Sequence, residues 1–116
     1  MTSIAERTVV FADLRGSTSL YEKLGNAEAT SVVTHTISSL ARVVADKKGH
    51  VVKTLGDGLM AVFNQPDQGV IAANAMHDVL DDIVTRGRSH GASPGLRSLR
   101  LQVALARGEG VDMNSD

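Results

Sequence analysis

Apolar positions recur along this chain with two periods, and the switches between them predict its elements. Thr8 to Leu14 is an apolar run interrupted only by Asp13, which reads as a buried strand. Gly16 breaks the run, and Ser17 or Thr18 is placed to cap a short helix carrying Leu20, Tyr21 and Leu24. Gly25 and Asn26 punctuate next, with Asn26 as the N-cap of a longer helix. In that helix Val33, Ile37, Leu40 and Val44 share one face, and Gly49 stops it as a C-terminal glycine. His50 to Leu55 and Leu59 to Phe63 read as strands joined through Gly56-Asp57-Gly58, since Asp-Gly between apolar strands signals a hairpin. Pro66 and Asp67 open a helix that puts Ala72, Met76, Val79, Leu80 and Ile83 on one face. Arg86 to Ser98 reads as a Gly-, Ser- and Arg-rich loop. Leu99, Leu101, Val103 and Leu105 then alternate with polar or small residues as the buried side of a last strand. Gly108 to Asp116 reads as a frayed tail.

The order strand, helix, strand, strand, helix, strand predicts an α+β fold of the ferredoxin-like βαββαβ kind. Such a fold has one antiparallel sheet with both long helices on one face. In that topology the third strand lies between the first and second and runs antiparallel to the first. The end of strand one, at Asp13, is then brought beside the start of strand three, at Asp57.

Composition narrows the picture. At 116 residues the chain is expected to form one domain with one core, and its 42% hydrophobic content favours a packed domain over a disordered one. Only 3% of residues are aromatic, so Val, Leu, Ile and Ala must fill the core. A formal charge of −1 gives no global reason to expect nucleic acid or an anionic membrane as partner. There are no cysteines, which excludes disulfides, zinc-thiolate sites and a thiol nucleophile and fits a reducing, cytoplasmic setting. No apolar run approaches the ~20 residues that span a bilayer, and the first residues lack the apolar centre of a signal peptide.

Candidate chemistry concentrates at the two acidic turns. Taken singly, Asp57 reads as a hairpin residue and Asp13 as a strand-end or helix-capping carboxylate. Held side by side, two carboxylates repel, so a proton, a cationic side chain or a metal must compensate. Oxygen donors on an open edge suit Mg²⁺ or Mn²⁺, which keep waters and share substrate phosphates. Arg15-Gly16-Ser17-Thr18 follows at once, and the first amides of the next helix would face phosphate oxygens. Two ions bridged by Asp13 and Asp57 would activate an attacking hydroxyl and neutralise a leaving pyrophosphate. Lys53 reads as an exposed strand lysine, opposite in direction to Val52 and Thr54. His35 and His77 lie on long helices, His50 and His90 near turns, and none has ligand spacing with another. Arg86, Arg88, Arg97 and Arg100 read as solvated charge.

From Thr8 to Glu109 the chain resembles the catalytic domain of class III nucleotidyl cyclases, the adenylate and guanylate cyclase family. The resemblance is carried by Val10-Phe11-Ala12-Asp13-Leu14-Arg15-Gly16-Ser17-Thr18 and by Val52-Lys53-Thr54-Leu55-Gly56-Asp57-Gly58-Leu59-Met60-Ala61-Val62-Phe63. It implies that Asp13 and Asp57, with the Leu14 backbone, hold two Mg²⁺ or Mn²⁺ ions and are the catalytic aspartates. It implies that Arg15, Gly16, Ser17 and Thr18 bind phosphate and that Lys53 helps select adenine. The implied reaction converts ATP, in preference to GTP, into 3′,5′-cyclic AMP and pyrophosphate. The implied assembly is a head-to-tail homodimer, or a pair with another cyclase-type domain, in which Lys53 serves the site whose aspartates belong to the partner.

Val103-Ala104-Leu105-Ala106-Arg107-Gly108-Glu109 departs from the family's pattern, with Ala104, Ala106 and Arg107 where glycine, histidine and a hydroxyl residue usually stand. No position up to Asp116 matches the later motif that supplies a second base-selecting residue, a ribose-orienting asparagine and a transition-state arginine. Loss of one such donor typically costs ~10²–10³ in rate. The expectation is a cyclase-type core that is inactive or very weak as this chain alone. Two other readings stay open: a regulatory module that keeps metal–nucleotide or partner binding without turnover, and a structural domain whose aspartates bind nothing. A diguanylate cyclase is disfavoured because Gly56-Asp57-Gly58-Leu59 lacks two glycines followed by two acidic residues.

Overall fold

The computed structural model describes residues 4–89 and 99–111, with side chains described for residues 7–86 and 99–108. In chain order the elements are β1 (Ile4–Arg15), α1 (Ser17–Leu24), α2 (Asn26–Asp46), β2 (His50–Leu55), β3 (Gly58–Phe63), α3 (Pro66–Ser89) and β4 (Arg100–Val111). The strands form one antiparallel sheet in the order β2-β3-β1-β4. This is the ferredoxin-like α+β arrangement, and β3 does lie between β1 and β2.

Period-two burial along β1 decides which side the helices cover. Thr8, Val10, Ala12 and Leu14 are buried, while Phe11 between them is 45% exposed. Leu59, Ala61 and Phe63 of β3 point the same way as the buried set. Against them pack Val33, Ile37, Leu40 and Val44 of α2 and Ala72, Met76 and Leu80 of α3. Each fully buried Leu, Val or Met contributes about 1.5–3 kcal/mol relative to exposure. Thr36 is also buried on α2, and its hydroxyl donates to the Val32 carbonyl at 2.8 Å, so that hydroxyl is not stranded in the core. The other side of the sheet carries Phe11 and is left open among the described residues.

Several boundaries differ from the sequence reading. β1 begins at Ile4 rather than Thr8, and β4 continues to Val111 where a frayed tail was expected from Gly108. These are one effect: Ile4, Ala5, Glu6 and Arg7 pair with Val111, Gly110, Glu109 and Gly108. Neither stretch is apolar enough to announce a strand, and each is held by ladder bonds to the other. α3 runs through Ser89, so Arg86 to Ser89 are helical rather than loop; 90–98 and 112–116 lie outside the described residues. The N-caps are Gly16 and Gly25, not Ser17 or Thr18 and not Asn26, and neither helix has a side-chain cap bond. Leu105 lies on the helix-covered side of β4 as expected, across from Val10 and facing Gly69 of α3, yet on this edge strand it is 41% exposed.

The end of α2 differs in its physics as well. Lys48, not Gly49, takes the left-handed conformation, at φ 66°. Gly49 is required for a close approach: a Cβ there would overlap Cε2 of Phe63 and stand 2.6 Å from its Cζ. Phe63 is 1% exposed and has no free space into which its ring can retreat. Gly49→Ala is therefore expected to lower unfolding stability by about 1–3 kcal/mol, read as a lower urea midpoint at unchanged m-value.

Candidate functional site

At one end of the sheet, β1 and the β2–β3 hairpin meet. Asp13 pairs with Gly58 across the β1–β3 ladder, and Leu55 pairs with Gly58 across β2–β3. The connecting loop is therefore Gly56-Asp57, with Gly58 already inside the strand. No positive φ occurs at Gly56 or Gly58. The glycine of the Asp-Gly signal serves a different purpose from a turn. A Cβ on Gly58 would lie 2.8 Å from the Ala12 carbonyl oxygen and 3.3 Å from Oδ1 of Asp13. Gly58 thus leaves open the space beside the Asp13 carboxylate.

The two aspartates are locked by backbone. The Leu14 amide donates to the Asp57 carbonyl at 2.8 Å, which ties the residue after one aspartate to the other. Residues 13 and 57 are 44 apart in sequence and adjacent at this edge. Asp13 is half-buried and Asp57 exposed, so a shared ligand would keep water on one side. Nε of Arg15 lies 3.2 Å from Oδ2 of Asp13, a salt bridge between partly exposed side chains. Such a bridge is weak by itself, on the order of 0–1 kcal/mol. It supplies the Asp13 carboxylate with a cationic partner.

Beyond Arg15 the chain turns at Gly16, and α1 begins at Ser17 with no acidic residue in its first turn and no side-chain cap. Its first amides are left without intrahelical partners, as in any helix, and they follow Asp13 directly. Ser17 is half-buried, Thr18 and Gly16 exposed. Lys53 is exposed on β2, next to a register irregularity between Val51 and Lys53 that leaves Val52 as the extra residue. Lys53 pairs with Met60, and Met60 pairs with Phe11, so the three form one row across the open face. Asp13 lies two residues beyond Phe11 on that same face. The structure therefore brings Asp13, Leu14, Arg15, Gly16, Ser17 and Asp57 to one corner and sets Lys53 two strands away.

The register also reveals neighbours that the sequence reading passed over. Gln102 pairs with Asp13, and Arg100, read as solvated charge, stands directly across from Arg15. Counting the β1–β4 ladder from the Gly16 turn would have found both. Arg86 instead pairs with Asp82 one helical turn earlier, at 3.0 Å. His35, His50 and His77 are exposed and apart from the corner, and His90 lies outside the described residues.

Among the described residues no three His, Cys, Asp or Glu side chains converge. The corner offers two carboxylates, backbone oxygen and a cleared space beside Asp13 Oδ1. Hard oxygen donors in that small number fit Mg²⁺ or Mn²⁺ completing their shell with water and phosphate; they do not fit an all-protein cage.

Comparison with known proteins gives the corner its context. Residues 1–111 match the family described as the adenylate and guanylate cyclase catalytic domain. An adenylate cyclase of Anabaena cylindrica is 25% identical over 108 residues, covering 91% of this chain and 22% of that protein. Among solved structures, the adenylyl cyclase CyaB from P. aeruginosa superposes with a TM-score of 0.80 at 22% identity, over 96% of this chain and 60% of that one. The guanylyl cyclase Cya2 superposes at 0.75 with 25% identity, over 94% and 57%. The chain thus spans about a fifth of the length of that curated relative and under two thirds of these solved chains. Cyclases of this family generally use divalent metals, bind nucleotide and commonly dimerise. No described helix is long and apolar enough to cross a membrane. With the family's match running over nearly every residue and the fold agreeing, this chain belongs to the adenylate and guanylate cyclase catalytic-domain family.

Proposed function

We propose that these residues form the metal- and triphosphate-holding part of a class III adenylate cyclase site, with ATP preferred over GTP. The observation that carries the reading is the pairing of Asp13 with Gly58 together with the 2.8 Å bond from the Leu14 amide to the Asp57 carbonyl. It ties the two-residue loop that carries Asp57 to the strand end that carries Asp13, which supports the two residues acting together at one open corner of the sheet. Asp13 and Asp57, with the Leu14 backbone, would hold two Mg²⁺ or Mn²⁺ ions. When bound, these ions supply Lewis acidity to the attacking 3′-hydroxyl and to the departing pyrophosphate. Arg15 and the amides from Gly16 to Thr18 orient the phosphates, and the exposed Lys53 offers a donor to an adenine ring from the second subunit of a pair. A cytoplasmic setting agrees with ATP as substrate.

Turnover needs more than this corner. The strand across from β1 presents Ala104 and Ala106 to the open face, and neither has a group to give the nucleotide. The 116 residues by themselves are therefore proposed to bind metal–nucleotide with little or no cyclisation. A regulatory module that binds without turnover shares this site, and the same departures on β4 favour it.

Two measurements check the reading. Incubated with Mn²⁺ and ATP, the purified chain should show Mn²⁺-dependent nucleotide binding, with cyclic AMP near background by mass spectrometry. Asp57→Asn should weaken that binding by more than the ~10–100-fold seen when only an outer partner of a metal ligand is lost. Nucleotide binding that ignores both Mn²⁺ and Asp57→Asn would refute the site. Robust cyclic AMP that vanishes in Asp57→Asn would instead show that the corner suffices. Gly58→Ala should push on the Ala12 carbonyl and crowd Asp13 Oδ1, lowering Mn²⁺–ATP affinity about tenfold with an overpacking cost of about 1–3 kcal/mol. An alanine variant with unaltered affinity would mean that the space beside Asp13 is not used.

A further inference from the structure

We propose that Arg15 is an exchangeable counter-ion that makes metal binding at Asp13 conditional on phosphate, an inference that rests on reading Asp13 and Asp57 as the metal seat. Three observations carry it. Asp13 and Arg15 are two apart on β1 and share one face, with Nε of Arg15 3.2 Å from Oδ2 of Asp13. The two side chains are 60% and 39% exposed for Arg15 and Asp13, so the bridge exchanges at little cost. Arg100 stands directly across the β1–β4 ladder from Arg15. Like charges opposite one another are unfavourable, so the guanidinium is driven toward whatever anion lies beside it. In the free protein that anion is Asp13.

The charge balance of the corner gives this contact a consequence. Asp13, Asp57, Arg15 and Arg100 are together formally neutral. A dication arriving alone beside Oδ1 of Asp13 repels the guanidinium held on Oδ2 and leaves an excess of positive charge between two arginines. A triphosphate reverses this: it offers oxygens to the released guanidinium, and two dications with a tetra-anionic triphosphate restore neutrality. Metal and phosphate then each improve the other's binding through one side chain, and such coupling is reciprocal. The corner resists bare metal and accepts it in company with a polyphosphate.

The test uses Mn²⁺ and inorganic pyrophosphate as probes on the full chain, with far-UV circular dichroism to verify folding. Free Mn²⁺ is read by electron paramagnetic resonance without phosphate. Pyrophosphate binding is read by equilibrium dialysis with and without Mn²⁺, which gives a coupling factor. Arg15→Gln should bind Mn²⁺ alone about two- to fivefold more tightly than the natural chain. Its coupling factor should fall by at least as much. Arg15→Lys keeps the charge and should stay close to the natural values. If Asp13→Asn abolishes Mn²⁺ binding while Arg15→Gln leaves Mn²⁺ affinity unchanged or weaker, the counter-ion role is overturned and the metal seat stands. If Asp13→Asn leaves Mn²⁺ binding intact, the metal seat itself fails and the inference falls with it.

Discussion

The amide of Leu14 and the carbonyl of Asp57 meet at 2.8 Å, and much of this molecule is arranged so that they can. β1 must lie between β3 and β4, the β2–β3 hairpin must end level with Asp13, and the β1–β3 register must be held to the residue. Slipping that register by one would turn Asp13 from the open face into the core and bury a carboxylate against residues such as Leu59 and Leu20. The apolar stripe of β1 forbids the slip, because Val10, Ala12 and Leu14 would then face water. Core packing and site geometry are thus enforced by the same alternation, and the site is specified by the burial beneath it.

The open side of the sheet follows from that arrangement. Two helices can cover one face of four strands, and α2 and α3 both pack on the same one. Phe11 at 45% exposure, Val52 at 49% and Leu55 at 54% remain on or beside the β2–β3–β1 surface that carries Asp13 and Lys53. An aromatic ring left half in water in the central strand would be a liability in a core element. Beside a row running through Met60 to Lys53, it is also a ready surface for a flat ring or an apolar contact.

The path from sequence to structure was clear wherever a local pattern answered to a local cause. Val33, Ile37, Leu40 and Val44 announced the buried face of α2, and the order of elements announced the sheet and the meeting of Asp13 with Asp57. The pattern was silent where pairing alone makes a strand. Ile4 to Arg7 and Gly108 to Val111 hold one another, and neither stretch has a period of its own. It misled where one residue type serves two ends. Gly49 and Gly58 read as turn glycines, yet one makes room for the Phe63 ring and the other for the Asp13 carboxylate. Arg100 and Gln102 became legible only through the β1–β4 register, since nothing local marks a strand residue by what stands across from it.

That same ladder has a spatial consequence at its far end. Ile4 pairs with Val111, so the two ends of the described sheet lie side by side. Nine residues of extended chain separate Ile4 from Asp13, on the order of 30 Å. Polypeptide joined at either side would enter and leave through one narrow doorway, remote from the aspartates. Such a unit can hang from a longer protein like a pendant from a single clasp, and tension on the clasp would part the strands there long before it reached the corner of Asp13 and Asp57.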